Sequence, residues 1–324
     1  MNSSKAALVE RAPSKFTDPR VTVKGEPRAF VPFDGLTTLW FNTGTLCNIA
    51  CHNCYIGSSP KNDALVYLQR DEVQRFLCEA SAAEVPPSEI GFTGGEPFMN
   101  PDIVGMLDDC LSAGFRVLVL TNAMKPMQNK SAALSDLSRR FPGQISVRIS
   151  IDHYRRELHE QLRGARTWQP AIKGLNWLVA NGFDVAVAGR MVWQESAEEL
   201  RSGFAQLFQN HQWPIDAGDP ARLVLFPEMD VDVPVPEISV GCWSILGKHP
   251  SDMMCASSRM VVRHRGTDRA SVVSCTLLPY DKRFDMGATL EEAAQSVVLN
   301  HSHCARFCVL GGASCSGKSG EAKR

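Results

Sequence analysis

The chain predicts an α/β fold, a parallel sheet covered by helices, followed by a small cysteine-rich α+β module. Two observations carry the first part. Between Thr37 and Phe226, six short apolar segments of strand character alternate with segments of helical spacing. Those strand segments are apolar throughout rather than alternating, as strands buried on both faces of a parallel sheet must be. A third observation carries the module. Val231 to Pro236 interleaves valine with proline and acid, and six of the eleven cysteines lie beyond it.

In order, residues 1–34 hold prolines and charges without a sustained period and read as an extended N-terminal arm. The arm is too short for a separate recognition domain. Thr37 to Asn42 is the first strand, and Gln69 to Ala83 has the spacing of an amphipathic helix. Then follow the strand Glu89–Thr93, the helix Pro101–Ala113, the strand Arg116–Thr121 and the helix Lys130–Arg140. The pattern continues with the strand Gln144–Ser150, the helix Trp168–Asn181, the strand Phe183–Val192, the helix Ala197–Gln209 and the strand Arg222–Phe226. Over about residues 35–230 these βα steps fit either an open doubly wound sheet or a curved partial barrel, with functional residues at the C-terminal strand ends. Residues 231–324 form the second module. It holds a hairpin from Met260 to Ser274 turning at Arg265 to Asp268, a helix around Leu290 to Val297, and a disordered tail from Ser316.

Composition narrows the function classes. A net charge of -1 from 34 basic and 35 acidic residues gives no electrostatic footprint for nucleic acid or an anionic membrane. Apolar residues, at 44%, suffice for a large core. No apolar run reaches the roughly 18 residues of a membrane span, and Met1 to Lys15 lacks the apolar segment of a signal peptide. A cytoplasmic protein is expected. In that reducing compartment cysteines are metal ligands, redox groups or buried hydrophobes rather than a disulfide framework. Cys78 and Cys110 stand alone in helical patterns and read as core packing.

Cys47, Cys51 and Cys54 follow the spacing C-x3-C-x2-C on one loop after the first strand. Three thiolates suit a [4Fe-4S] cube with one iron left open, whereas structural zinc takes four ligands, usually from separated pairs. Spacing alone leaves zinc standing, with His52 as a conceivable fourth ligand. The next motif, Phe92-Thr-Gly-Gly-Glu-Pro97, follows the second strand. Its glycines let the backbone approach a ligand closely, and Glu96 offers an acceptor to a cation such as an ammonium.

Together these motifs resemble the radical SAM enzymes. The resemblance implies a partial (β/α)6 radical SAM barrel in which Cys47, Cys51 and Cys54 hold a [4Fe-4S] cluster. It makes Gly94, Gly95, Glu96 and Pro97 the segment that holds the methionine amino group of S-adenosylmethionine. Thr121 and Asn122 match the Thr-Asn after the third strand, and Ser150, Asp152 and Arg163 match the pattern that contacts the methionine carboxylate and ribose. Asn53, before the third cysteine, stands where an aromatic residue often lies near adenine, with Tyr55 just after that cysteine as a candidate. The implied chemistry is reductive cleavage to a 5′-deoxyadenosyl radical, which abstracts hydrogen from a substrate carbon, with the electron supplied by a partner such as flavodoxin or ferredoxin.

The late cysteines resemble the Twitch module, a shortened relative of the SPASM extension. By that resemblance Cys255, Cys275, Cys304 and Cys308 hold a second, auxiliary [4Fe-4S] cluster. Cys315 is an alternative for one of the four, and Cys242 and Cys315 are otherwise spare or catalytic. Zinc is the other reading of this group. The substrate is expected to be a small biosynthetic molecule that is oxidised or rearranged. A peptide or protein side chain comes second, because the arm leaves no room for a leader-peptide domain. A non-catalytic iron–sulfur or zinc protein is the rival from another class. Of the remaining candidates, Trp193, Trp213 and Trp243 read as core or interface residues and His153 as a hydrogen-bonded structural histidine.

Overall fold

The computed structural model describes residues 14–229 and 233–313. Cys315, the tail from Ser316 and part of the Val231 to Pro236 segment lie outside these residues. The elements in chain order are β1 (Phe30–Val31), β2 (Thr38–Asn42), α1 (Arg70–Ser81), β3 (Glu89–Thr93), α2 (Ile103–Ser112) and β4 (Arg116–Thr121). Then come α3 (Lys125–Gln128), α4 (Ser131–Arg140), β5 (Ile145–Ser150), α5 (Arg156–Arg163), α6 (Trp168–Ala180), β6 (Asp184–Met191), α7 (Ala197–His211) and β7 (Leu223–Pro227). The C-terminal part adds α8 (Cys242–Leu246), β8 (Ser258–Val262), β9 (Ser271–Val273), β10 (Val297–Val298) and a π-helix, Cys304–Leu310.

Strands β2 to β7 are all parallel and lie side by side in strict chain order. That order chooses between the two architectures left open by the sequence. A doubly wound sheet reverses its strand order at a switch point, whereas a barrel adds each strand beside the last. The main sheet is therefore an open partial barrel, extended past β2 by β8, which is parallel to β2, and by β9, antiparallel to β8.

The pleat sorts each strand's side chains between two cores. Leu39, Phe41, Val117 and Val119 pack with the covering helices, while Trp40 and Leu118 face the concave side with Met260 and Val262 of β8. On that side Trp40 lies over its register partner Gly91 on the neighbouring strand so closely that a Cβ there would sit 2.3 Å from the indole. Helices α1 and α7 both begin in capping boxes, Gln69 with Glu72 and Ser196 with Glu199, which satisfy first-turn N–H groups.

The arm is docked along residues 14–34. Arg28 and Glu237 form an ion pair with both side chains almost wholly buried, and β1 pairs antiparallel with β10. Two expectations need correction. Cys78 is exposed, because α1 buries Val73, Phe76, Leu77 and Ala80 and the next position after Leu77 rotates about 100° away from that face. No helix forms at Leu290 to Val297. Turns run there and the chain enters β10, even though Thr289 and Glu292 exchange the hydrogen bonds of a capping box.

Candidate active site at the C-terminal strand ends

The three early cysteines leave β2 on a loop that bends back over the strand ends. Hydrogen bonds from Thr45 N to Leu65 O and Cys47 N to Ser59 O close the loop on itself. Asn53 adopts a left-handed conformation (φ 52°) between the second and third cysteines, a backbone state asparagine tolerates better than most residues. The loop then docks on its neighbours through the glycines of the second motif. Gly95 N donates to Gly44 O at 2.8 Å and Glu96 N to Leu46 O at 3.1 Å. A Cβ on Gly95 would lie 2.2 Å from Leu46 O, and one on Gly94, at φ +138°, 2.5 Å from Gly44 O. The glycines therefore serve first to bring two backbones together, and only then to wall a ligand site.

One cavity of about 180 Å³ lies where these motifs meet, lined by Cys47, Cys51 and Cys54 together with Gly94 and Gly95. Thr121, Asn122, Ser150, Asp152, Arg163 and Tyr55 line it too. The remaining two cofactor candidates stand back from the cavity. Glu96 is 1% exposed and accepts from Thr121 Oγ1 at 2.7 Å, Asn122 N at 2.9 Å and Phe98 N at 3.2 Å. Burial pushes its carboxyl up from the usual range, while those three donors favour the carboxylate. Pro97 opens a short 3-10 turn behind it. The carboxylate thus staples β3 to the end of β4, and Asn122, so placed, reaches Asn48 Oδ1 on the cysteine loop at 2.9 Å.

On the opposite wall Arg163 grips Asp152 with two hydrogen bonds, at 2.9 and 3.0 Å. Asp152 is 2% exposed, and its backbone N–H is held by His159 Nδ1. Burial disfavours the guanidinium charge, but the Asp152 carboxylate, with Cys51 and Cys47 nearby, outweighs it and holds Arg163 above its ordinary value. Helix α5 meets the cysteine loop directly, His52 N donating to Leu162 O at 2.7 Å.

Sequence reasoning passed over Arg190. It sits near the C-terminal end of β6, 6% exposed and lining the same cavity. It donates to His52 O and Asn53 O, pairs with Glu228 at 3.1 Å, and covers the Tyr55 ring with its guanidinium 4.9 Å from the centroid. A signal existed: it is the lone cation in the apolar run Val185 to Met191. Tyr55 itself is fixed by Phe226 and Phe307 edge-on and by its hydroxyl on Pro227 O. His153, 0% exposed and bonded to Glu195 at 2.7 Å, is a structural histidine.

The donor set fits a cationic cluster. Burial raises the Cys47 thiol to about 12 and raises Cys51 as well, so both need positive charge nearby to become thiolates. Among the described residues no three His, Cys, Asp or Glu side chains are drawn tightly around one ion. An iron–sulfur cube spreads its thiolates over separate irons. A second sulfur-lined pocket holds Cys255, Cys275, Cys304 and Cys308 between Met254 and Phe284. Burial lifts Cys255 to about 11 and Cys304 to about 12. Leu277 belongs to the walls of both pockets. Cys242 lies apart from both linings, near Ser239 Oγ.

Comparison with known proteins agrees with this geometry. Residues 41–201 match the model of the Radical SAM superfamily, and the chain carries a radical SAM domain. The antilisterial bacteriocin subtilosin biosynthesis protein AlbA of Bacillus subtilis (strain 168) is 28% identical over 193 residues, 57% of this chain and 41% of AlbA. Mycofactocin maturase MftC of Mycobacterium ulcerans (strain Agy99) is 30% identical over 156 residues, 48% of this chain and 39% of MftC. The matches thus span less than half the length of these relatives. In structure, Streptococcus suis SuiB bound to S-adenosylmethionine gives a TM-score of 0.57 at 13% identity, covering 78% of this chain and 63% of SuiB. That likeness is one of fold: the radical SAM partial barrel. Among the described residues no helix is long and apolar enough to cross a membrane.

Proposed function

We propose that the chain is a radical SAM enzyme whose Cys47, Cys51 and Cys54 hold a [4Fe-4S] cluster with one open iron for S-adenosylmethionine. The convergence of these cysteines with Gly94, Gly95, Ser150 and the Asp152–Arg163 pair on one cavity carries the proposal. When bound and reduced by one electron, the cluster and S-adenosylmethionine supply a 5′-deoxyadenosyl radical that takes a hydrogen atom from a substrate carbon. Everything else falls to the protein. Backbone at Gly94 and Gly95 and the side chains of Thr121 and Asn122 would receive the methionine end. Ser150 and Arg163 would face its carboxylate and ribose, Asp152 holding the guanidinium in one orientation. Arg190 fixes the loop backbone at His52 and Asn53, and the Tyr55, Phe226 and Phe307 rings keep water from that wall. Flavodoxin or ferredoxin would deliver the electron.

The second pocket would hold an auxiliary [4Fe-4S] cluster on Cys255, Cys275, Cys304 and Cys308, within a module over residues 231–324. Separated from the first cavity by Leu277, that cluster, closed by its four thiolates, would take an electron from substrate. The proposed substrate is a peptide or protein side chain. The names of AlbA and MftC, one a bacteriocin biosynthesis protein and the other a maturase, reverse the order expected from sequence. A small molecule, the first expectation from the sequence, is the second reading. The test is anaerobic reconstitution with iron and sulfide analysis, followed by reduction with S-adenosylmethionine. About eight irons per chain and 5′-deoxyadenosine are expected; bound zinc without cofactor cleavage would sink the proposal. Deuterated candidate substrates then decide between the two readings by transfer of deuterium into 5′-deoxyadenosine.

A further inference from the structure

The pocket of Cys255, Cys275, Cys304 and Cys308 has one more polar wall, His303. Its Nδ1 is buried and has no hydrogen-bond partner, an unfavourable state for a buried polar atom when nothing fills the gap. The backbone explains why the ring lies there. His303 is the N-cap of the π-helix and already has helical dihedrals, φ -63° and ψ -34°. In a π-helix each residue turns by about 80°, so His303 and Cys308 lie on the same side of Cys304 within about 80° of it. An α-helix would place His303 and Cys308 about 140° apart, on opposite sides of Cys304. Backbone and neighbour then hold the ring: His303 N donates to His301 Nδ1 at 3.0 Å, and the two rings lie 4.5 Å apart.

We infer that His303 donates its Nδ1–H to a thiolate or sulfide of the cluster held by these four cysteines and thereby raises that cluster's reduction potential. The inference rests on the auxiliary-cluster reading above. Four thiolates fill the four iron corners of a cube, which leaves the imidazole the role of donor and not of ligand. The wall around it is largely apolar, with Met253, Met254, Leu277 and Phe284, and offers Nδ1–H few rival acceptors. Hydrogen bonds to cluster sulfurs are a recognised lever on potential. They stabilise the more negative, reduced form more than the oxidised one, so losing this donor lowers the potential.

The experiment uses the full chain carrying Cys47→Ala, Cys51→Ala and Cys54→Ala, so that only the auxiliary cluster is reconstituted. Potentiometric titration followed by electron paramagnetic resonance should give a lower potential for His303→Phe than for the histidine protein, with His303→Asn recovering part of the difference. Proton double resonance in ordinary water should find a proton coupled to the reduced cluster that is lost on exchange into deuterated solvent, and nitrogen-15 histidine should link it to an imidazole. Should His303→Phe fail to assemble, this spectrum of the histidine protein decides by itself. An unchanged potential with no imidazole-linked proton overturns the inference. So does a strong nitrogen coupling, which would make His303 an iron ligand. If no second cluster forms at all, the auxiliary reading falls together with the inference, a result distinct from a cluster whose potential does not move.

Discussion

The two sulfur-lined pockets are built in opposite ways. The first draws its cysteines from one loop and sets polar strand-end groups among apolar walls such as Trp40, Leu120 and Phe226, the polar groups tied by the hydrogen bonds of Glu96, Asn122 and Asp152 and the backbone contacts of Gly95. The second gathers Cys255, Cys275 and the Cys304–Cys308 pair from separated parts of the chain and seals them with Met254, Phe284, Val297 and Leu299. A polar cradle leaves groups to greet a cofactor that enters and leaves, while an apolar one shelters a resident group from water. The contrast also separates local from long-range causes. The first pocket depends on how two motifs dock, the second on whether the whole C-terminal part packs.

The strongest test of that contrast is a pair of cysteine replacements. Cys51→Ala should abolish 5′-deoxyadenosine formation while leaving roughly half of the iron, whereas Cys304→Ala should remove the other half and leave cofactor cleavage measurable without substrate. Loss of all iron in either variant would show the pockets to be one cooperative site.

Next in size is Asp152→Asn, which strands the Arg163 charge in a buried wall and should cost about 3–5 kcal/mol in denaturant unfolding. The weakened affinity for S-adenosylmethionine would be read by isothermal titration calorimetry. The second pocket should keep its iron.

The polar cradle also makes the protein pH-sensitive at His159. Burial lowers this imidazole from 6.5 to about 4, so between those values the unfolded chain binds a proton that the folded one refuses. Its contribution to stability is present above about 6.5 and is lost as pH falls toward 4, on the order of 3 kcal/mol. Denaturant titrations from pH 7 to 4 should show a shallower decline for His159→Phe than for wild type.

Smallest is Gly95→Ala. Its Cβ would press on Leu46 O, and overpacking of that kind costs about 1–3 kcal/mol. The damage should centre on the cysteine loop, read as slower cluster assembly with Cys304-bound iron unchanged. Uniform loss of both clusters would mean that the two pockets are coupled.

Much of this site was legible without coordinates because its groups stand at strand ends. Once six apolar runs define a parallel sheet, the residues just beyond them, Thr121, Asn122, Ser150 and Asp152, are committed to one rim. Arg190 was less visible, since within a strand the period of two decides inward from outward and a single cation gives no period. The Asp152–Arg163 pair joins a strand end to helix α5, which had no amphipathic run long enough to announce itself.

The amino-acid sequence by itself determined the six parallel strands and the long helices between them, the contiguous cysteine loop and the glycines that let it dock, because pleat, helical period and the absence of a Cβ are local properties of the chain. Only the tertiary structure decided that the sheet curves without a switch point, that Glu96 turns inward to bind β4, and that the scattered late cysteines meet around His303. Each of these depends on which distant surfaces pack together, and packing is a property of the whole core rather than of any one segment.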